Sequence, residues 1–364
     1  MNPPFSDPTR RHFLRRSVLG LGAVGLCSAA EKPAAKPKIA RFKHYDDAVL
    51  AKGAPPAIAE GSFTIVVLPD TQRYAKDNPE GFLAQTAWIA KNRESRNIAC
   101  ALHLGDITDN NLPEQWELAQ RAMSRLDGAV PYFMALGNHD YSEGGVCADR
   151  TTRYNEYFPL STHGTLPTFG GVYDKEPDRF ENSFHLFTAG GRDFLVLSLE
   201  FGPRKDVVRW ANEVVSRHHD RAAILITHAY MYFDDTRYDW AEKGRGQTWN
   251  PHSYKVAAAT GDDVSDGEEL WRNLVSQHPN FILTLNGHVL EDGLGRLSSE
   301  ADDGRRIHQM LVNFQMRPNG GDSWMRLLEI KADGSADVCD YSPQLDQHNT
   351  APENRFRLSL APVA

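Results

Sequence analysis

The sequence predicts an α/β fold, and three observations lead to this prediction. The chain of 364 residues is 41% hydrophobic and 24% charged, which is ordinary for a globular protein and excludes collagen-like, disordered and multi-span membrane proteins. Strand-like and helix-like segments alternate over residues 63–136, which favours parallel strands joined by right-handed crossovers. Several of the predicted strands end in polar clusters, and the carboxyl ends of strands are where α/β sheets bind ligands.

The alternation begins with Phe63–Leu68, a continuous run rich in β-branched residues that is typical of a buried strand. A helix over Gly81–Asn97, a strand over Ile98–Leu104, a helix over Pro113–Leu126 and a strand over Val130–Leu136 are predicted to follow. Proline suits the first turn of the second helix. This order of elements predicts a parallel sheet.

The later half of the chain continues this pattern and then changes. Gly190-Gly191 joins two strand-like segments, Asn182–Phe187 and Arg192–Leu199, as a hairpin. Further helices and strands are expected at 203–218, 222–227, 266–277 and 281–285. The last strands, at 307–314, 324–330 and 336–341, are expected to be antiparallel.

Residues 1–30 have the composition of an export signal. Four arginines against one aspartate give this segment a local net charge of +3. The uncharged stretch Ser17–Ala30 that follows is short for a bilayer span of about 20 residues, so no stable transmembrane anchor is expected. Arg10-Arg11 followed by Phe13-Leu14 resembles a twin-arginine (Tat) signal, and Ser28-Ala29-Ala30 offers a cleavage site. We therefore expect a periplasmic or secreted protein.

The rest of the chain divides into three segments. Residues 31–60 are rich in proline and lysine, which predicts a linker or a leader lying on the domain surface. Residues 61–343 are expected to form one domain, and 344–364 a polar tail that either adds an edge strand or is disordered. Leu26 precedes Cys27 where a lipoprotein signal prefers a small residue, so lipid anchoring is not expected.

Charge and cysteine content exclude two further classes. The formal net charge is -8 at pH 7, and a protein that binds nucleic acid non-specifically needs a basic surface, so no nucleic-acid surface is expected. An anionic substrate held at one local site stays possible. Four cysteines are too few for a disulfide framework, although Cys147 and Cys339 could pair in an oxidising compartment.

Five of the predicted strands end in a cluster of Asp, Asn, Gln or His. The clusters are Asp70-Thr71-Gln72, Gly105-Asp106-Ile107-Thr108-Asp109, Gly137-Asn138-His139-Asp140, Thr227-His228 and Asn286-Gly287-His288. Imidazole and carboxylate ligands together suit Zn, Mn or Fe rather than Ca alone. A carboxylate can bridge two ions about 3.5–4 Å apart, and a water held between them can attack phosphorus. The sequence therefore predicts a metal site at one edge of the sheet.

These clusters occur in the order D-x-[HQ], GDxxD, GNH[DE], a single His and a final GH. The order resembles that of the calcineurin-like metallophosphoesterase family, and the resemblance covers most of residues 61–343. It implies a four-layer α/β/β/α sandwich, in which helices flank two mixed β-sheets. It also implies two divalent or trivalent metal ions, drawn from Mn, Fe, Zn, Mg and Ca.

The resemblance assigns a role to each cluster. The first metal takes Asp70 and Gln72, Asp106 bridges, and the second metal takes Asn138, His228 and His288. His139 and Asp140 are the expected catalytic residues, with His139 assisting the leaving group. Asp140 and Asp109 are expected to orient His139 and the neighbouring loops.

Two positions depart from the family pattern. Gln72 stands where His is commoner, and Leu290 stands where the second His of GHxH completes the shell of the first metal. Water, a backbone carbonyl or a side chain such as Asp292 would fill the gap. We therefore expect the first site to bind more weakly, or to hold a harder ion such as Mn, Mg or Ca.

The expected function is an exported hydrolase that cleaves an organic phosphoester by attack of a metal-bridging hydroxide. The alternatives are a phosphodiesterase or phospholipase rather than a phosphomonoesterase, and a non-catalytic envelope protein that binds a phosphorylated glycan or lipid. Long loops at 141–182 and 230–263 are rich in aromatic residues and are expected to shape specificity. The loop at 315–323 is also expected to approach the site. The sequence leaves the oligomeric state open.

Overall fold

The computed structural model describes residues 48–360 and arranges them on two β-sheets. The strands are β1 (Leu50–Lys52), β2 (Phe63–Leu68), β3 (Ile98–His103), β4 (Tyr132–Met134), β5 (Phe169–Val172), β6 (Ser183–Ala189), β7 (Arg192–Ser198), β8 (Ala222–Ile226), β9 (Phe281–Asn286), β10 (Leu294–Glu300), β11 (Arg306–Val312), β12 (Met325–Ile330), β13 (Ser335–Ser342), β14 (Gln347–Asn349) and β15 (Arg355–Ser359). The expected signal peptide (1–30) lies outside the described residues, as do residues 31–47 of the expected linker.

Helices connect and cover these strands. They are α1 (Gln72–Lys76), α2 (Pro79–Asn92), α3 (Pro113–Met123), α4 (Tyr154–Tyr157), α5 (Leu160–His163), α6 (Lys205–Arg217), α7 (Trp240–Lys243), α8 (Lys255–Thr260), α9 (Gly267–Asn273) and α10 (Pro318–Gly321). Pro79 and Pro113 occupy first-turn positions, where a missing N–H costs no helical hydrogen bond. Within residues 48–360, no helix has the length and apolar content needed to cross a membrane.

Both sheets are mixed. The first sheet has the order β1-β14-β13-β12-β2-β3-β4, with β15 also paired to β13, and the second has the order β10-β11-β9-β8-β7-β6-β5. Strands β2, β3 and β4 are parallel to one another, as are β7, β8, β9 and β11. The parallel strands therefore form one side of the first sheet and the centre of the second.

The inner faces of the two sheets pack against each other. One buried cluster joins Ile65 and Val67 of the first sheet to Val196 and Ile224 of the second. The alternate residues of the same strands, such as Val66, belong to a different cluster that includes α2, α3 and α6. Because successive side chains of a strand point to opposite faces, this division shows the α/β/β/α order of layers. The predicted fold class is confirmed.

One strand direction differs from the prediction. The last strands were expected to be antiparallel, and β12 and β13 are, but β11 pairs in parallel with β9 as well as antiparallel with β10. The chain therefore leaves β11 at the same edge of the second sheet at which β9 ends. Residues after β11 are brought to that edge as a result.

Segments outside the expected domain limits also join the first sheet. Strand β1 lies in the expected linker, and β14 and β15 lie in the expected tail. Asn354 donates from Nδ2 to the Asp340 carboxylate at 2.7 Å, and the same carboxylate receives two bonds from the Arg326 guanidinium. The tail adds strands to the sheet: residues 347–349 lie between β1 and β13, and residues 355–359 pair with β13 alone.

The cysteines of the described residues are all unpaired. Cys147 is buried near the polar clusters, whereas Cys339 lies in β13. The disulfide considered between them is therefore not formed in this structure. Burial raises the pKa of the Cys147 thiol to about 12, which leaves it protonated at neutral pH.

Candidate metal centre and active site

The polar clusters that follow the strands meet at one edge of the two sheets. The Thr71 N–H donates to the Asp106 carbonyl at 3.0 Å, and the His139 N–H donates to Asp106 Oδ1 at 3.0 Å. The His288 N–H lies 3.2 Å from Oδ1 and 3.1 Å from Oδ2 of Asp70. Main-chain donors therefore hold both carboxylates in place between the ends of the strands.

Three residues converge on one point, as expected for the second metal. Asp106, His228 and His288 each offer a ligand atom, these atoms lie within 4.8 Å of one another, and all three residues are buried. Nε2 of His228 lies 3.1 Å from Oδ2 of Asp106, yet it has no aligned hydrogen-bond partner. The arrangement suits two ligands that face a common cation.

Backbone carbonyls decide which nitrogen of each histidine is left for a metal. His228 Nδ1 lies 2.7 Å from the Leu104 carbonyl, so that nitrogen donates and Nε2 is the nitrogen that could bind a metal once deprotonated. His288 Nε2 lies 2.8 Å from the Trp249 carbonyl, which leaves Nδ1. Such partners orient metal-binding imidazoles and raise their basicity. Trp249 comes from the loop at 230–263, which therefore reaches the site.

Asn138 has an oxygen to offer as well. Its Nδ2 donates to the Gly145 carbonyl at 2.9 Å, while its Oδ1 is buried and has no hydrogen-bond partner. A buried polar atom without a partner is costly and calls for an explanation such as an ion. The expected ligand set of the second metal therefore fits the residues at this edge.

The first metal's residues are arranged differently. Asp70 Oδ2 accepts from Asn313 Nδ2 at 2.9 Å and from Gln315 Nε2 at 3.2 Å. Gln72 donates from Nε2 to Oε1 of Gln315, and its own Oε1 is buried without a partner. Asp70 and Gln72 thus lie together as predicted, but amide side chains surround them.

Asn313 and Gln315 were not predicted as site residues. Both follow the end of β11, and the sequence places polar residues there as it does after the other strands. This strand is expected from the sequence to be antiparallel, which would place its carboxyl end away from the other polar clusters. The polar residues after it therefore gave no indication of a site. The expectation that the loop from 315 approaches the site is met by Gln315 itself.

The side chain of His139 is anchored on one side only. Its Nδ1 lies 2.7 Å from the Asp109 carbonyl, so Nε2 is the nitrogen left for chemistry. The Asp109 carboxylate turns the other way, to Lys76 Nζ at 2.7 Å and Asn110 Nδ2 at 2.8 Å. Asp109 therefore orients His139 through its main chain rather than through its carboxylate.

The Asp140 carboxylate, expected as a catalytic residue and as an orienting one, is hydrogen-bonded to two loops. This buried carboxylate accepts from the backbone N–H groups of Ile107, Thr108 and Gly137 at 2.8–3.1 Å, and from Thr108 Oγ1 at 3.0 Å. These bonds join the loop after β3 to the loop after β4. Burial, with Asp106 nearby, raises the pKa of Asp140 to about 6. These contacts favour the orienting role.

In the absence of a cation, the negative charges of the two buried carboxylates, Asp70 and Asp106, repel each other. Burial raises the pKa of Asp70 well above its usual range, and the negative charge of Asp106 adds to this effect. Burial would lower the pKa of His228, but Asp106 outweighs it and raises that pKa to about 9. Burial and His228 lower the pKa of His288 to about 3, so its imidazole is neutral. Bound cations would reverse the cost of keeping both carboxylates ionised.

A second group of titratable residues, on the loop side, is a hydrogen-bonded cluster. His252, Asp266 and Glu269 offer ligand atoms within 4.8 Å of one another. The two ring nitrogens of His252 face Asp262 and Glu269 at 2.7 and 2.9 Å, and Asp266 caps α9. These groups already hydrogen-bond to one another. We therefore interpret the cluster as one that holds the loop at 230–263 against α9.

Comparison with known proteins matches most of the described chain to one family. The model of the family described as "Calcineurin-like phosphoesterase" matches residues 63–292. An uncharacterized protein of Bacillus subtilis (strain 168), YvnB, is 30% identical over 301 residues, which are 80% of this chain and 21% of that protein. The chain thus spans about a fifth of the length of the curated relative that it matches.

Solved structures give weaker likenesses. A purple acid phosphatase, PPD1, from seeds of yellow lupin (Lupinus luteus) has a TM-score of 0.48 at 13% identity, covering 84% of this chain and 55% of that one. A 5'-nucleotidase precursor from Thermus thermophilus has a TM-score of 0.41 at 12% identity, covering 82% and 54%.

Proposed function

The chain belongs to the calcineurin-like phosphoesterase family, and from this membership we propose that it is a metal-dependent hydrolase of an organic phosphoester. The observation that carries the proposal is the convergence of Asp106, His228 and His288, whose ligand atoms lie within 4.8 Å of one another. The unpartnered oxygens of Asn138 and Gln72 add two further ligand atoms at the same edge. Fold alone does not establish activity, whereas ligand atoms brought together at one point argue for it.

The proposed ligands divide between two ions. Asp70 and Gln72 would hold the first, Asn138, His228 and His288 the second, and Asp106 would contact both. Ions bound there would supply a Lewis acid that activates water and neutralises charge on phosphoryl oxygens. The ligands other than the two carboxylates are neutral, so the loaded site would retain positive charge for an anionic substrate.

His139 would act on the leaving group. When its ring is protonated, the Nδ1 proton is held by the Asp109 carbonyl at 2.7 Å. The Nε2 proton then has no competing acceptor among the hydrogen bonds of the ring, and it can pass to the departing oxygen. General acid catalysis of this kind contributes about 10²- to 10⁴-fold to a rate.

We also propose export through the Tat route. Its support is the sequence of residues 1–30, in which Arg10-Arg11 precedes an uncharged segment. Replacement of both arginines by lysine should retain the protein in the cytoplasm, as measured by cell fractionation. Unchanged export of that variant would count against the Tat assignment.

The activity is tested on chelator-stripped protein reloaded with Mn, Zn, Fe, Mg or Ca. We expect hydrolysis of p-nitrophenyl phosphate or its bis-ester only after reloading, and the preferred ester separates a phosphomonoesterase from a phosphodiesterase. His139→Ala should lower kcat about 10²-fold or more without preventing metal uptake. His219→Ala, at an exposed histidine after α6, is the matched control and should leave kcat unchanged.

Inactivity with every metal would overturn the proposal. If such a protein still bound a phosphorylated ligand, and His139→Ala left that binding unchanged, a non-catalytic binding protein would be the better description.

A further inference from the structure

The first metal site lacks the ligand that the family pattern places at residue 290. Leu290 has no ligand atom in its side chain, and its carbonyl accepts the Gly293 N–H at 2.7 Å. The expected substitute, Asp292, accepts the Leu294 N–H at 3.1 Å and so caps the turn before β10. The replacement must therefore be sought on another element.

Gln315 lies where such a ligand is needed. It is 5% exposed, and its amide touches both predicted ligands of the first metal: Nε2 lies 3.2 Å from Asp70 Oδ2, and Oε1 accepts from Gln72 Nε2. The parallel pairing of β11 with β9 carries Gln315 to this edge. Asn313 Oδ1 accepts the Gln315 N–H at 3.0 Å, which fixes the main chain of this residue beside the site.

A second observation points to an ion at this place. Gln72 is also 5% exposed, and its Oε1 is buried without a hydrogen-bond partner. Asp70 meanwhile is surrounded by N–H donors, as a carboxylate must be when no cation balances it. An amide can exchange its N–H₂ for its oxygen by rotating half a turn about its last bond, with no shift of the main chain.

We infer that Gln315 is the ligand that replaces the missing histidine of the first metal site. With a cation beside Asp70, Gln315 and Gln72 would both offer it their amide oxygens. Turning the Gln315 amide brings its N–H₂ to the side of Gln72, so the Gln72 amide would turn as well and its oxygen would accept the hydrogen bond between the two residues. Asn313 keeps its bond to the Asp70 carboxylate and orients it. This inference rests on the proposed function, because it assumes that the family's metal pair is bound.

The ligand type predicts which ion each site prefers. The first site then offers oxygen atoms only, from Asp70, Asp106, Gln72 and Gln315, and such a set suits hard ions such as Mg, Ca and Mn. The second site adds two imidazoles, from His228 and His288, which suit Zn or Fe. The protein would then hold an unlike pair of ions rather than two identical ones.

Manganese binding after zinc loading tests this inference without any measurement of activity. Chelator-stripped protein receives one equivalent of Zn²⁺, and Mn²⁺ is then titrated with the free ion followed by electron paramagnetic resonance. The wild type should bind one Mn²⁺. Gln315→Leu should weaken that binding about tenfold or more, since even an outer partner of a metal ligand is worth that much.

Two further variants and a control sharpen the result. Gln315→Glu keeps the length of the side chain and adds a charge, so it should tighten Mn²⁺ binding, whereas Gln315→His should take up a second equivalent of Zn²⁺ in place of Mn²⁺. Gln85→Leu is the matched control: it removes another buried glutamine, whose Nε2 bonds to the Trp324 carbonyl. It should bind Mn²⁺ as the wild type does.

Wild-type affinity for Mn²⁺ in Gln315→Leu, or no Mn²⁺ uptake by the zinc-loaded wild type, would overturn the inference. If Gln315→Leu fails to fold by circular dichroism, the Glu and His variants decide the outcome. A protein that takes up both ions but hydrolyses no ester would contradict the proposed function, while the role of Gln315 as a metal ligand would be supported. An active protein whose Gln315 variants bind Mn²⁺ unchanged would do the reverse.

Discussion

At the scale of single residues, two glycines allow the carboxylates to sit against the strand ends. A Cβ atom at Gly137 would lie 2.1 Å from Asp106 Oδ1 and 2.7 Å from His228 Nε2. A Cβ atom at Gly287 would lie 2.0 Å from Asp70 Oδ1. No heavy atoms tolerate such distances, so only glycine permits this close approach. The glycine of GNH and that of GH are therefore part of the geometry of the ligands beside them.

Gly137→Ala should accordingly disturb the second metal. The added methyl group must displace the Asp106 carboxylate or the His228 ring, and we expect zinc affinity to fall about tenfold or more, as it does when the support of a ligand is lost. Isothermal titration calorimetry with Zn²⁺ measures this. Gly246→Ala is the control, because a Cβ atom there meets nothing within 4 Å. Equal zinc affinity in both variants would contradict the proposed closeness of Gly137 to the site.

At the scale of elements, the candidate site divides into a part that could be predicted and a part that could not. Asp70, Asp106, Asn138 and His228 directly follow strands whose apolar runs are local features of the sequence, so their position could be inferred. Gln315 follows β11, whose direction depends on pairing with β9. Pairing between distant segments is set by the packing of the whole sheet and leaves little trace in the local pattern.

The strands of the tail are a second feature that the local sequence pattern could not settle. The two apolar residues at its end, Leu358 and Leu360, are 7% and 6% exposed, because β15 lies along β13 at the end of the sheet opposite to the polar clusters. A short polar segment with a few apolar residues does not indicate this role by itself. Its contribution to stability follows from the burial that the structure shows.

Leu358→Ala should destabilise the protein by about 2–4 kcal/mol, since it leaves a cavity in a buried cluster. Urea unfolding measures the free energy, and Leu345→Ala is the control because Leu345 is 41% exposed. Metal binding by the folded variant should be unchanged, because β15 lies away from the ligands. Equal stability of the two variants would show that the tail is not an integral part of the sheet.

At the scale of the whole molecule, the proposed metal pair joins the two sheets. Asp70, Asp106 and Asn138 follow strands of the first sheet, while His228, His288 and Gln315 follow strands of the second. An ion held by ligands from both sheets binds the folded chain and has no comparable site in the unfolded one. Binding of that kind adds to stability by mass action.

Removal of metal should therefore lower the melting temperature of the entire domain rather than loosen one loop. At a free ion concentration about 1,000 times Kd, binding contributes about 4 kcal/mol, which in a domain of this size corresponds to a shift in Tm of about 6 °C. Differential scanning calorimetry with and without chelator checks this, and the transition should move as a single peak because both sheets share the site. His228→Ala, which loses a ligand of the second sheet, should show a much smaller shift. A chelated wild type that melts at the same temperature as the loaded one would show that the clustered carboxylates and imidazoles hold no ion that links the sheets.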